Sequence, residues 1–109
     1  MAVCAEVSER VFSAVMKALF DQKLLIEGLM LKPNMVTPGA QSGIKANPGD
    51  IAFETLKTLG RTIVPALPTI CFLSGGQSEE MASLNLSAMN AMDSMAKPWS
   101  LTFSYGRAL

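Results

Sequence analysis

The chain is poor in the side chains that most often bind metals. Among its 109 residues there is no histidine, and Cys4 and Cys71 are the only cysteines. Structural and catalytic zinc sites are built mainly from these two residue types at short spacings, so the sequence excludes a zinc site of the usual kind. Nothing in the N-terminal residues indicates a secretory route. We therefore expect no structural disulfide and a protein that is not secreted.

The chain also lacks net charge and long apolar runs. Nine basic and nine acidic side chains cancel, which leaves no electrostatic reason to expect nucleic acid or an anionic membrane as a partner. No apolar run approaches the ~20 residues that a membrane-spanning helix needs. Half of the residues are hydrophobic, and this composition predicts a folded globular domain.

Apolar patterning predicts three helices that alternate with three strands. The strands are predicted at residues 24–31, 69–73 and 99–103, and helices are predicted over 2–20, from Asn47 and from Ser78. The first strand is apolar almost throughout, which is typical of parallel strands covered on both faces. The repeated helix–strand order predicts an α/β fold with a parallel sheet and right-handed crossovers, in one domain over residues 1–109.

Each predicted helix carries an apolar stripe at helical spacing. The stripe of the second helix is expected to face the core, as is that of the third. Asn47 and Ser78 are suitable N-cap residues for these two helices. The three stripes are Val7, Val11, Ala14, Val15, Ala18 and Leu19; Ile51, Ala52, Thr55, Leu56 and Leu59; and Ala82, Leu86 and Met89.

Lys32 ends the first predicted strand and is the main candidate for chemistry. The carboxyl ends of parallel strands are where ligands bind in α/β sheets. Neighbouring apolar residues, namely Leu29, Met30, Leu31 and Met35, are expected to crowd the amine and strip its hydration. A poorly hydrated amine is a better nucleophile toward a carbonyl carbon. The alternative is a lysine that packs its stem and keeps its ammonium group in water, and position alone favours that alternative.

Two glycine-bearing loops follow the other strands. Ser74-Gly75-Gly76, called the phosphate loop below, precedes a helix start, and its backbone amides can face an anion. Gly106-Arg107 follows the third strand, and arginine can hold a phosphate with two parallel hydrogen bonds. A plain turn and a surface ion pair are the alternatives. In eight-stranded barrels a phosphate site often forms from the loops after the last two strands, and residue type makes Ser74, Gly75, Gly106 and Arg107 fit that site.

Three motifs in this order resemble class I fructose-bisphosphate aldolases. The segment from Leu29 to Val36 (LMLKPNMV) resembles the Schiff-base segment of that family. Phe72 to Glu80 (FLSGGQSEE) resembles its phosphate-binding loop, and Lys97 to Leu109 (KPWSLTFSYGRAL) resembles its last barrel strand with the following loop. The resemblance covers nearly the whole chain.

The resemblance implies part of a (β/α)8 barrel and reversible cleavage of fructose 1,6-bisphosphate to dihydroxyacetone phosphate and glyceraldehyde 3-phosphate. Lys32 would form the iminium with the ketone carbon. Ser74, Gly75, Gly106 and Arg107 would bind the phosphate, with Ser104 lining the same loop. No metal or other cofactor is implied, because the protonated iminium serves as the electron sink. The resemblance also implies a homo-oligomer in the cytoplasm or the plastid.

The chain departs from the family in length. A complete barrel runs to ~250 residues, and the family's acid/base glutamate on the preceding strand is missing from these residues. A second function therefore stays open, in which a truncated, inactive aldolase-derived subunit acts as an interaction protein in a larger assembly. Three strands cannot close a barrel, so we expect open edges and self-association. The residues expected to lack an opposite barrel wall are Leu25, Leu29, Ile70, Phe72, Leu101 and Phe103.

Overall fold

Three short parallel strands form the centre of the molecule. A computed structural model describes residues 2–38, 47–73, 77–92 and 97–104. The strands are β1 (Met30–Leu31), β2 (Thr69–Phe72) and β3 (Ser100–Phe103), in the order β1-β2-β3 with both pairs parallel. The register aligns Leu31 with Ile70 and Ile70 with Leu101. The predicted α/β fold with a parallel sheet is confirmed.

Helices precede all three strands. They are α1 (Ala2–Asp21), α2 (Pro48–Thr62) and α3 (Glu79–Ala91). Both predicted caps are present: the Asn47 side chain accepts a hydrogen bond from the Asp50 amide at 2.8 Å, and Ser78 accepts one from the Met81 amide at 3.1 Å. Each cap satisfies one of the amide groups that a helix start leaves without a partner. None of the helices within the described ranges is long and apolar enough to cross a membrane.

The core lies between β2 and the helices α2 and α3. Ile70 and Phe72 are fully buried in one cluster with Leu56 and Leu59 of α2 and Met89 of α3. These helices bury the stripes that the sequence predicts, because five residues of α2 and three of α3 recur with the helical period. Trp99 closes one end of the core, and its indole Nε1 donates to the Val64 carbonyl at 3.0 Å.

The predicted stripe of α1 is wrong. This helix buries Ser8, Phe12 and Met16, whereas Val7 and Val11 are about half exposed. The buried residues and the exposed valines each recur every four positions, so either group is compatible with one face of a helix. Phe12 and Met16 are the larger side chains, and burying them removes more apolar surface from water. That gain turns the helix so that the valines face outward.

The first strand is much shorter than predicted. Residues 24–29 are not part of the sheet, because a 3-10 turn occupies Ile26–Gly28 and leaves only Met30–Leu31 as strand. Gly28 and Leu29 donate their amides back to Leu25 and Ile26 within this turn, at 3.0 and 3.1 Å. These donors are therefore not available to pair with β2. Leu25 is 73% exposed, so the apolar run does not mark a buried strand over its whole length.

From the sequence, Ile70 and Phe72 are expected to face a missing barrel wall and not the helices, and this prediction is also wrong. Both side chains are fully buried in the core cluster that includes α2 and α3. Side chains alternate between the two faces of a strand, so Thr69 and Cys71 lie on the other face. We call that side of the sheet the open face. By register it also carries Met30, Ser100 and Thr102.

Candidate functional site

Lys32 lies on the open face at the carboxyl end of β1. The backbone pairing continues one step past the strand, because the Pro33 carbonyl accepts a hydrogen bond from the Leu73 amide at 3.1 Å. This bond keeps the register, and it aligns Lys32 with Cys71 of β2 and Thr102 of β3. In paired parallel strands, aligned side chains point to the same side of the sheet. Lys32 therefore belongs to the open face and not to the core.

Ser104 lies on the same face at the end of β3. Its amide donates to the Phe72 carbonyl at 2.9 Å, which continues the pairing of β3 with β2. Ser104 follows Thr102 by two residues, so the alternation places both on one side. Lys32 and Ser104 lie on strands separated by β2, and a spacing of about 4.8 Å between neighbours puts those strands roughly 10 Å apart. A small phosphorylated ligand spans such a distance.

The neighbours of Lys32 do not enclose it as predicted. The lysine side chain is exposed. Leu29 and Leu31 pack against the core cluster and Met35 belongs to it, so these side chains turn away from the amine. Met30 shares the open face but is itself 62% exposed. The described residues therefore position Lys32 without removing its hydration.

The other predicted phosphate ligands fall outside the described residues. Ser74 and Gly75 follow β2, and Gly106 and Arg107 follow β3 by a few positions. The strand ends that lead to them are described, and those ends lie side by side at the edge where Lys32 and Ser104 are found. The roles of Lys32, Ser74, Gly75, Ser104, Gly106 and Arg107 stay predictions.

The structure also shows polar contacts around Lys32 that the sequence patterns did not reveal. Residues Pro33–Val36, called the lysine segment below, donate hydrogen bonds to buried side-chain hydroxyls of α1 and α2. The Val36 amide donates to Thr55 Oγ1 at 2.9 Å, and Asn34 Nδ2 donates to Ser8 Oγ at 3.2 Å. The one signal in the sequence was a hydroxyl residue, Thr55, in an otherwise apolar stripe.

A separate cavity of about 450 Å³ lies beside the start of α3. Its walls include Thr37 and Pro38 on one side and Ser78 and Met81 on the other. Neither Lys32 nor Ser104 lines it, so the predicted chemistry belongs to the open face of the sheet. Within the ranges that the structure describes, no group of three or more His, Cys, Asp or Glu side chains is placed to hold a metal ion.

A parallel sheet flanked by helices, with a lysine at a strand's carboxyl end, defines a segment of a β/α barrel that carries a candidate amine nucleophile. The family model of class-I fructose-bisphosphate aldolase matches residues 1–109. The chain therefore belongs to the class I fructose-bisphosphate aldolase family, which confirms the resemblance in the three motifs.

Curated relatives and a solved structure agree with this assignment. The chain is 58% identical to cytosolic fructose-bisphosphate aldolase 4 of Arabidopsis thaliana, over 97% of this chain and 27% of that protein. It is also 58% identical to fructose-bisphosphate aldolase C of Rattus norvegicus, over 97% of this chain and 29% of the relative. Fructose-bisphosphate aldolase from Plasmodium falciparum, solved with TRAP and a small-molecule inhibitor, superposes with a TM-score of 0.92 and 55% identity.

The superposition covers 99% of this chain and 30% of the Plasmodium chain. The fold is therefore a part of the aldolase barrel, as predicted. The chain spans less than a third of the length of the relatives it matches.

Proposed function

We propose that this chain supplies the Schiff-base lysine and the phosphate-binding loops of a class I fructose-bisphosphate aldolase. The reaction is the reversible cleavage of fructose 1,6-bisphosphate to dihydroxyacetone phosphate and glyceraldehyde 3-phosphate. The supporting observation is that Lys32 and Ser104 share the open face at the carboxyl ends of the two outer strands. The end of β2, which leads into the phosphate loop, lies between them.

Lys32 acts as the nucleophile. Its neutral amine attacks the ketone carbon, the carbinol oxygen takes up a proton and leaves as water, and a protonated iminium links Nζ to the substrate; the rest of the barrel supplies that proton. The iminium nitrogen then accepts the electron pair released when the bond between the third and fourth carbons breaks. A proton-transfer group is needed to take the proton from the hydroxyl on the fourth carbon and later to protonate the enamine. That group is supplied by the rest of the barrel.

The phosphate of the dihydroxyacetone phosphate half binds beside the lysine. Backbone amides of Ser74 and Gly75 precede α3, whose N-terminal end attracts an anion. Arg107 gives two parallel hydrogen bonds to the phosphate oxygens. Gly106 lets the backbone approach closely, and Ser104 lines the same loop. The lysine and the phosphate site together fix the ketone carbon within reach of Nζ.

The similar proteins also suggest a compartment and an assembly. Relatives at 58% and 59% identity carry the names cytosolic and cytoplasmic isozyme. We therefore propose a cytosolic enzyme rather than a plastid one. The family resemblance supports a homo-oligomer that binds phosphorylated sugars.

A second function, that of a structural subunit, is favoured by exposed apolar side chains. Leu25, Met30 and Phe103 are at least half exposed next to the sheet, and Val3, Val7 and Val11 form a stripe along α1. Apolar patches of this kind mark protein interfaces. In this alternative the chain has no cleavage activity and uses these surfaces to join a larger assembly.

The size and activity of the native protein separate the two functions. A mass of 11.6 kDa at 29% of a relative's length corresponds to roughly 40 kDa for a whole enzyme. We expect a native species of that size with cleavage activity. A verified 109-residue product should show less than about a thousandth of that turnover, because it lacks a positioned proton-transfer group. A native 11.6 kDa subunit without activity would support the alternative.

A further inference from the structure

Buried polar side chains are few, and most of them converge on the residues next to Lys32. Within the described ranges, four polar residues are buried: Ser8, Thr55, Thr58 and Asn85. Ser8, Thr55 and Asn85 come from α1, α2 and α3 respectively, so each helix contributes one. All three contact the lysine segment, either directly or through one intervening side chain.

Thr55 makes the most buried of these contacts. Its hydroxyl accepts the hydrogen bond of the Val36 amide at 2.9 Å, and both residues are at most 1% exposed. Val36 lies outside the strands, so no neighbouring strand takes its amide proton. A buried donor without a partner is costly. The hydroxyl therefore fixes the chain four residues after Lys32.

Ser8 and Asn34 fix the middle of the segment. Asn34 Nδ2 donates to Ser8 Oγ at 3.2 Å and to the backbone carbonyl of the next residue, Met35, at 3.1 Å. The first contact links the residue two positions after Lys32 to α1. The second restrains the turn of the backbone between Asn34 and Met35.

Asn85 acts through Gln77. Asn85 Nδ2 donates to Gln77 Oε1, and Gln77 Nε2 approaches Met35 Sδ at 3.5 Å. Gln77 directly follows the phosphate loop in the sequence, so this contact connects the two halves of the proposed site. Asn85 is fully buried, and its Oδ1 has no hydrogen-bond partner among the residues that the structure describes. An apolar residue would pack there without that cost, which indicates that the amide is kept for its contact to Gln77.

We infer that Ser8, Thr55 and Asn85 are positioning residues for Lys32. This inference rests on the proposed function, in which Lys32 is the nucleophile. The three side chains do not touch the substrate, but they hold the backbone from which the lysine stem extends. A displacement of about 1 Å at a reacting group can cost up to 10²-fold in rate. The segment is thus held from three helices, while the lysine itself stays exposed.

Replacement of Thr55 tests the inference, because α2 offers a matched control. Thr55→Val removes the hydroxyl and keeps the shape, and Thr55→Ser keeps the hydroxyl. Thr58→Val makes the same change at a buried threonine one turn further along, whose hydroxyl forms no hydrogen bond with the lysine segment among the described residues. The readout is borohydride trapping of Lys32 with dihydroxyacetone phosphate in the 109-residue chain, located by peptide mapping. Both the rate and the final extent of labelling are measured.

We expect Thr55→Val to slow labelling at saturating dihydroxyacetone phosphate by at least about tenfold, with an unchanged half-saturating concentration. Thr58→Val should label at the normal rate, and Thr55→Ser should recover most of it. A partly unfolded variant would label more slowly in proportion to its folded fraction, so that fraction is measured by circular dichroism and the labelling rates are compared per folded chain. Ser8→Ala is the second variant, and it should slow labelling in the same way.

Equal labelling rates per folded chain in Thr55→Val, Ser8→Ala and Thr58→Val would overturn the inference. Amide exchange at Val36 gives an independent reading. It should accelerate in Thr55→Val and not in Thr58→Val, and the opposite pattern would also overturn the inference. Failure of the proposed function looks different, because Lys32 is then not labelled even in the unmodified chain.

Discussion

The two outer strands of the sheet end in different surroundings. After β1, the lysine segment enters the core: Met35 and Val36 are at most 2% exposed, and the segment donates hydrogen bonds to one hydroxyl of α1 and one of α2. At β3, three of the four strand residues are exposed, as is Ser104. Backbone pairing to β2 holds this end, through Ser104 and the Phe72 carbonyl.

This difference separates two tasks of the proposed site. The nucleophile needs a fixed position, and residues of this chain provide it through buried contacts. The phosphate-binding end needs exposed groups that can exchange water for a ligand, and exposed residues of β3 lead into it. Changes near Lys32 should therefore act on both stability and reaction rate. Changes after β3 should act on ligand binding alone.

The largest expected effect contrasts Met35 with Phe103. Met35→Ala empties a position in the core and should lower the free energy of unfolding by about 2–5 kcal/mol. Phe103 is 50% exposed, so Phe103→Ala should cost about 1 kcal/mol, roughly half the value for a fully buried phenylalanine. Urea denaturation of both variants measures the difference. Similar losses of unfolding free energy would show that the two strand ends are equally buried in solution, which would contradict the proposed difference between them.

A smaller effect is expected at Arg107. Arg107→Ala removes a charged hydrogen-bond donor and should weaken the binding of dihydroxyacetone phosphate by about 1.5–3 kcal/mol. The concentration for half-maximal labelling of Lys32 then rises roughly ten- to a hundredfold. Arg10→Ala is the control, since Arg10 forms an exposed ion pair with Glu6 on α1 at 3.0 Å. If Arg107→Ala and Arg10→Ala give the same concentration for half-maximal labelling, Arg107 does not bind the phosphate. A loss of stability in Arg107→Ala would show that this end also supports the fold.

The smallest effect concerns the edge of β1. An unpaired strand edge can pair with the same edge of another copy, which would bring the two Met30 side chains close together. Met30→Lys places like charges across that contact and should weaken self-association by about 0.2–1 kcal/mol, or up to roughly fivefold. Val3→Lys changes an apolar residue of α1 that is 73% exposed, against 62% for Met30. Sedimentation at micromolar concentration compares the self-association of the two variants. If Val3→Lys weakens self-association as much as Met30→Lys does, the contact involves the surface of α1 and not the edge of β1.

Local rules predicted α2 and α3 but not the orientation of α1. The caps Asn47 and Ser78 act within one turn of the chain, so the sequence alone reveals them. In α1, two stripes share the helical period, and the buried one begins with the polar residue Ser8. Which stripe is buried depends on the fit of Phe12 and Met16 against other elements, and a single-helix pattern does not contain that information.

In the candidate site, too, some residues could be predicted from the sequence and others could not. Lys32 and Ser104 were predicted because strand order places the carboxyl ends of parallel strands at one edge. Ser8 and Thr55 were not, because their contacts to the lysine segment join residues that are 26 and 19 positions apart. Such contacts arise only when the helices pack on the sheet. The apolar run before β1 also misled the prediction, since Ile26–Gly28 satisfies its own backbone in a 3-10 turn.

Selective labelling of Lys32 is the most direct measurement of the central claim. Dihydroxyacetone phosphate and borohydride are added to the chain, and peptide mapping locates the reduced adduct. If Lys32 is the nucleophile beside a phosphate site, the adduct forms there and not on Lys23 or Lys45, and Lys32→Arg abolishes it. Equal labelling of the three lysines, or labelling that survives Lys32→Arg, would contradict the account.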